Sequence, residues 1–265
     1  MKIGFIGAGN MGTAILKGIA GSPMAQKTQL YVYDCFLEKA QQLKEYGVQV
    51  CTSAAEVAKT CKFVFLAIKP QQFGSLLPEL RPVITEDTVI VSIAAGITAE
   101  YIRSETIPNA KVVLVMPNTP LLLGTGATAL ACCAPATEEE FSVVRQIFDA
   151  CGVTAVVEPN QMKEIIAING SSPAFIYLFA KGFMDYAKQV GISESVALPL
   201  FAQSLTGAAK MLTDSGMTME ELIRMVSSPG GTTLAGLDAL YEGKLTEIVG
   251  DACNRCTKRA YELSK

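Results

Sequence analysis

Two short segments carry residues whose types and spacing could do chemistry. The first is Gly7-Ala8-Gly9-Asn10-Met11-Gly12, a GxGxxG run between a candidate strand and a candidate helix, with Asp34 22 residues after Gly12. Gly7 permits a tight turn, Gly9 lets backbone approach a pyrophosphate, and Gly12 lets the helix pack on the strand. Free N–H groups and the helix dipole then attract the anion. Asp34 suits a ribose 2′-hydroxyl and repels a 2′-phosphate, which favours NADH over NADPH. No arginine lies within several residues of it; Lys39, the nearest base, reads as facing solvent. The second segment is Ser227-Ser228-Pro229-Gly230-Gly231-Thr232-Thr233. Hydroxyls and glycines ahead of a helix make a seat for a small carboxylate without a charged side chain, although the same residues are also ordinary caps.

Three further stretches fall at strand ends, where open α/β sheets bind ligands. They are Ala67-Ile68-Lys69-Pro70, Ala94-Ala95-Gly96 and Met116-Pro117-Asn118-Thr119-Pro120. Small residues at 94–96 would let a nicotinamide ring lie against backbone. Ile6, the last strand residue before the glycine turn, joins Ala67, Lys69, Pro70, Ala94 and Ala95 as an expected cofactor contact. The loop Asn169-Gly170-Ser171-Ser172-Pro173 leads into the apolar stretch Phe175-Ile176-Tyr177-Leu178-Phe179-Ala180.

These segments need elements to hold them. Up to residue 159 short apolar strands alternate with helices: Lys2–Gly7, Gln29–Asp34, Gly47–Cys51, Phe63–Ile68, Thr88–Ile93, Lys111–Met116, Ala127–Cys132 and Thr154–Glu158. Strands without polar alternation are buried on both faces, so a doubly wound, Rossmann-like α/β sheet is expected. Residues 160–265 read as all α-helical, with helices near 160–169, 173–190, 193–214, 218–226, 232–241 and 244–263. The expected domains are 1–159 for a dinucleotide and 160–265 for dimerisation and substrate. Helices as apolar as those around Phe175–Phe179 and Val196–Leu212 call for burial in an oligomer.

Composition narrows the classes. The chain has 265 residues, 50% hydrophobic and 18% charged, with a net charge of −3. Disorder is excluded, and neither nucleic acid nor a membrane surface is an expected partner. No apolar run reaches the length of a membrane span. Histidine is absent, which removes histidine triads, bases and metal ligands; no metal is expected. Eight scattered cysteines without a secretory signal suit the cytoplasm. Cys253-Asn254-Arg255-Cys256 is read as ordinary helix residues.

On Gly7–Gly12, Ala67–Pro70, Met116–Pro120, Gly170–Phe175 and above all Val226–Thr233, the chain resembles the pyrroline-5-carboxylate reductases over its whole length. The resemblance implies reduction of 1-pyrroline-5-carboxylate to L-proline with NADPH or NADH, and homodimers, often five in a ring. It implies that Ser228, Gly231, Thr232 and Thr233 surround the substrate, with Asn118 beside them and Thr233 nearest the ring nitrogen as the catalytic residue. Ser172 stands where a second glycine is usual, and Ala54 where many members carry an asparagine for the ribose. Two other activities share parts of this pattern. A 3-hydroxyacid dehydrogenase wants a lysine with an asparagine one turn on; Lys163 and Asn169 are six apart, and Lys181 has no such partner. A dinucleotide-binding regulator without turnover would share the nucleotide motif.

Overall fold

The computed structural model describes residues 1–264. The first half alternates β1 (Lys2–Ile6), α1 (Asn10–Ala20), β2 (Gln29–Tyr33), α2 (Leu37–Gln42), β3 (Gln49–Val50), α3 (Ala54–Thr60), β4 (Phe63–Leu66), α4 (Phe73–Leu80), β5 (Val89–Ser92), α5 (Ala99–Glu105) and β6 (Lys111–Met116). Then come β7 (Gly126–Cys133), α6 (Glu138–Asp149) and β8 (Gly152–Val156), followed by α7 (Ser172–Gln189), α8 (Glu194–Asp214), α9 (Met219–Met225), α10 (Thr232–Glu242) and α11 (Leu245–Leu263).

The eight strands form one sheet in the order β3-β2-β1-β4-β5-β6-β7-β8. Strand order reverses between β1 and β4, which lie side by side with Ile6 opposite Leu66. A crevice opens at the carboxyl ends of such a pair. The central strands are buried throughout, Phe63-Val64-Phe65-Leu66 and Val89-Ile90-Val91-Ser92 among them. Each of the Phe, Val, Leu and Ile side chains among them contributes about 1.5–3 kcal/mol on burial. One face packs on α1, α2 and α6 through Ile15, Ala40 and Phe148; the other packs on α3, α4 and α5 through Val57, Leu77 and Ile102. Phe5 and Phe65 stack at 4.4 Å between ring centroids, joining β1 to β4.

The sheet departs from a wholly parallel one at its last two strands, which run against the other six. β7 runs antiparallel to β6, and β8 parallel to β7. The link 117–125 is too short for a parallel crossover, which needs about a dozen residues or more. Several strand ends also move: β4 stops at Leu66 rather than Ile68, β3 keeps two residues, and β8 starts at Gly152. The early stop of β4 releases Ala67–Pro70 as a loop. The helix expected over 160–169 is instead a 3₁₀ turn at Pro159–Gln161 followed by a π-helix at Ile166–Gly170.

The described residues pack as two units, 1–173 with 255–264, and 174–254. Strands give way to helices at 159/160, but Met162, Ile166, Ala167 and Ala260 are buried and Met162, Ile166 and Ala260 join the sheet's core. Within the helical unit, Phe183 of α7 stacks on Phe201 of α8 at 4.3 Å. Tyr177, Leu178, Leu200 and Leu212 of these helices remain over half exposed. Among the described residues no helix is long and apolar enough to cross a membrane.

Candidate active site

The glycine turn divides into glycines that build the fold and one that leaves space. Gly7 holds φ +109°, and a Cβ there would lie 2.4 Å from the Ala67 carbonyl oxygen. A Cβ on Gly12 would lie 2.4 Å from the Gly7 oxygen, so α1 starts pressed against the turn. Gly9 is different: nothing lies within 4 Å of its Cβ position. It is the N-cap of α1, with φ −71°, and no side chain caps the helix. The first-turn N–H groups at Asn10, Met11 and Gly12 are therefore available to an anion.

From this turn a groove of about 450 Å³ runs along the carboxyl ends of β1, β2 and β4. Ile6, Gly7, Gly9, Asp34, Ala67 and Lys69 line it. Ala8 and Asn10 line an adjoining hollow with Gly9. Met11 is half-buried, Gly12 is buried, and Pro70 opens the 3₁₀ turn that Gln72 caps through the Lys69 N–H. Ala94 and Gly96 line a separate cavity of about 420 Å³ with Thr98 and Tyr261, while Ala95 is exposed at the loop tip. Ala54 is fully buried and presents nothing to the groove.

Asp34 is more heavily engaged than its spacing suggests. Oδ2 accepts from the Ala8 N–H at 2.7 Å and Oδ1 from the Phe36 N–H at 2.8 Å. One oxygen thus braces the glycine turn and the other the turn after β2; the Ala8 N–H is spent on Asp34 rather than on a phosphate. Lys39 is exposed and also borders the groove, with its ammonium 4.8 Å from the Phe36 ring centroid.

Asn118 also turns inward. It is 7% exposed; its Oδ1 accepts from the Ala127 N–H at 2.9 Å, and its Nδ2 donates to the Asn169 carbonyl at 3.2 Å. Burial thus removes Asn118 from the surface on which a substrate contact was expected. Its partner Asn169, in the π-helix, donates from Nδ2 to the Met116 and Ala127 carbonyls at 2.7 and 2.9 Å. The two asparagines stitch the ends of β6 and β7 to the chain ahead of α7. Asn169 opens the polar loop that runs to Pro173, and that place is the signal in the sequence for its role.

In the helical unit the 227–233 loop makes a tight turn. Gly230 has φ +70°, and the Gly231 N–H donates to the Ser228 carbonyl at 2.9 Å. A Cβ on Gly231 would meet Ser228 Oγ at 2.6 Å, so Gly231 shapes the turn. Gly231 is the N-cap of α10, again without a capping side chain. Ser228, Thr232 and Thr233 are exposed. Ser227 is occupied, donating to the Ile223 carbonyl at 2.7 Å. Three hydroxyls and an open helix N-terminus thus face the same loop.

Among the described residues no group of three acidic, cysteine or histidine side chains is placed to hold a metal. Cys253 and Cys256 are free thiols on α11, and Cys256 Sγ lies 3.0 Å from Ser171 Oγ.

A doubly wound sheet with an open glycine turn, joined to a helical unit, defines the nicotinamide-dinucleotide oxidoreductases as the class. Residues 2–96 match the family model described as NADP oxidoreductase, coenzyme F420-dependent. Residues 159–263 match that described as pyrroline-5-carboxylate reductase dimerisation. A pyrroline-5-carboxylate reductase of Escherichia coli is 34% identical over 265 residues, covering 100% of this chain and 98% of the relative. A Coxiella burnetii pyrroline-5-carboxylate reductase structure superposes with TM-score 0.90 at 30% identity, covering 99% of this chain and 98% of the other. A Plasmodium falciparum pyrroline carboxylate reductase with NADP bound gives TM-score 0.90 at 27% identity, covering 100% and 98%. The chain belongs to the pyrroline-5-carboxylate reductase family.

Proposed function

We propose that this chain reduces 1-pyrroline-5-carboxylate to L-proline with NADPH or NADH, its substrate held by the loop at 227–233. The observation that carries the substrate half is the uncapped N-terminus of α10 beside the exposed hydroxyls of Ser228, Thr232 and Thr233. Backbone N–H groups and hydroxyls can bind a carboxylate without a cation. A cyclic imine needs one hydride at carbon and one proton at nitrogen. Thr233 donates or relays that proton, and Ser228 and Thr232 hold the carboxylate. Gly231 contributes the turn that presents them.

The cofactor fits the empty space above Gly9, a position where a Cβ meets nothing. Gly9 and the first turn of α1 hold the pyrophosphate, Asp34 sits at the ribose, and Ala67, Lys69, Pro70 and the Ala94-Ala95 loop border the nicotinamide. The bound reduced nicotinamide supplies the hydride; the protein supplies orientation. Both cofactors are accepted, with Asp34 favouring NADH. Asn118 and Asn169 act as positioning residues that keep the strand ends in place.

Residues 160–265 serve as the dimerisation and substrate half. The exposed Tyr177, Leu178, Leu200 and Leu212 support a homodimer, and five such dimers make a ring. A reducing, cytoplasmic setting suits the eight free thiols. Loss of nicotinamide absorbance on adding the cyclic imine tests the activity. Turnover with a 3-hydroxy acid and the oxidised cofactor, and none with the imine, would overturn it.

A further inference from the structure

A chain with Asp34 at the second strand's end needs a nearby cation to accept a 2′-phosphate. The geometry points to Lys39 as the residue that reads the 2′-phosphate of the cofactor, a contact that rests on the dinucleotide reading above. Three observations carry it. First, Lys39 lines both the main groove and the adjoining hollow, so its side chain stands on the rim beside the glycine turn. Second, its ammonium is held 4.8 Å from the Phe36 ring, and among the described residues no carboxylate pairs with it. Lys62 and Lys111 are paired with Glu140, and Lys17 lies over the Tyr46 ring; Lys69 also lines the groove, but after β4 rather than beside the end of β2. Third, the Asp34 carboxylate accepts two backbone N–H groups, at 2.7 and 2.8 Å. Those bonds pin it and lower its pull on incoming groups.

The physical consequence is a site with two opposing readers. Asp34 is positioned as a brace whose charge is partly offset by N–H dipoles. Lys39 keeps three donors for a phosphate monoester, and a weak ring contact holds it near the rim. An acidic residue after the second strand accepts a ribose hydroxyl, whereas a nearby cation accommodates a 2′-phosphate. Here one groove holds both.

Equilibrium binding of ADP-ribose and of 2′-phospho-ADP-ribose, followed by calorimetry on the full chain, separates the possibilities without turnover. Lys39→Ala should weaken the 2′-phosphorylated ligand about tenfold, the loss expected of one charge-assisted contact, and leave ADP-ribose within twofold. Lys39→Arg should restore most of the loss. The advantage of the unaltered chain should shrink as salt rises from about 0.05 to 0.5 M, because the contact is exposed and ionic. Equal weakening of both ligands would place Lys39 at the pyrophosphate and overturn the inference, as would no weakening of either. If neither ligand binds the unaltered chain, the dinucleotide reading itself fails and the inference falls with it. Binding of ADP-ribose alone by the unaltered chain would overturn only the inference.

Discussion

Replacing Gly9 by alanine should abolish tight cofactor binding while leaving the fold intact. A Cβ on Gly9 meets no atom within 4 Å, and its φ of −71° is one that alanine adopts freely. Such a change stabilises by about 0.4–1 kcal/mol by narrowing the unfolded ensemble. The added methyl does, however, occupy the approach of a pyrophosphate to the backbone. Losing one hydrogen bond to a charged group costs about 1.5–3 kcal/mol, which is roughly a 10- to 150-fold weaker Kd. Gly12→Ala is the contrasting control. Its Cβ would sit 2.4 Å from the Gly7 oxygen, with Ala67 Cβ at 3.0 Å. Overpacking of that kind costs about 1–3 kcal/mol, or roughly 2–12 °C in Tm at this chain size. Thermal melting paired with calorimetric titration of ADP-ribose reads both variants. A Gly9→Ala protein that melts normally and binds within threefold of the parent would refute the assignment of the pyrophosphate to this turn.

Four other outcomes are expected. Glu140, 5% exposed, ties Lys62 and Lys111 together at 3.2 and 2.8 Å. Burial pushes its carboxyl up, but hydrogen bonds from Lys111, the Thr137 N–H and Lys62 outweigh this and hold it at about 2, against 4.5 unperturbed. A depressed folded pKa means stability present above about pH 4.5 and lost as pH falls toward 2. Its size is of order 3 kcal/mol. Glu140→Gln should flatten that acid limb in denaturant titrations from pH 2 to 7; an unchanged limb would discount the pair. Thr233→Ala should lower kcat by about 10²-fold, the usual cost of losing a proton-transfer group, and a value within twofold of the parent would sink that role. Asp34→Ser should move the kcat/KM ratio toward NADPH; a parent already preferring NADPH by tenfold would show that Asp34 does not read the ribose. Sedimentation of dilute, active protein should show a dimer or larger species, and a 28.2 kDa particle would contradict the apolar helices' burial in an interface.

Local physics decided much of this molecule in advance. The β1–turn–α1–β2 unit, the buried runs of β4 and β5, and the helix caps at Thr137 and Thr218 follow from burial periodicity and capping between near neighbours in the chain. Gly7 and Gly12 belong there too, since the φ of +109° at Gly7 and the Gly7 oxygen 2.4 Å from a Cβ on Gly12 exclude a side chain at either. The antiparallel turn of β7 was within reach of the same logic, because nine linking residues cannot make a parallel crossover. Other features depend on which distant segments meet. Asn118 loses its expected surface position because Asn169, 51 residues on, and the Ala127 N–H take up its amide. Asp34 finds the Ala8 N–H 26 residues back, so the carboxylate read as a ribose contact also braces the glycine turn. The chain's last turn returns to the sheet unit, where Tyr261 donates to Glu164 at 2.6 Å. Hydrogen-bonding capacity is written in each residue type. Its partner is chosen only when packing brings separate elements within 3 Å, and that choice separates a binding side chain from a structural one.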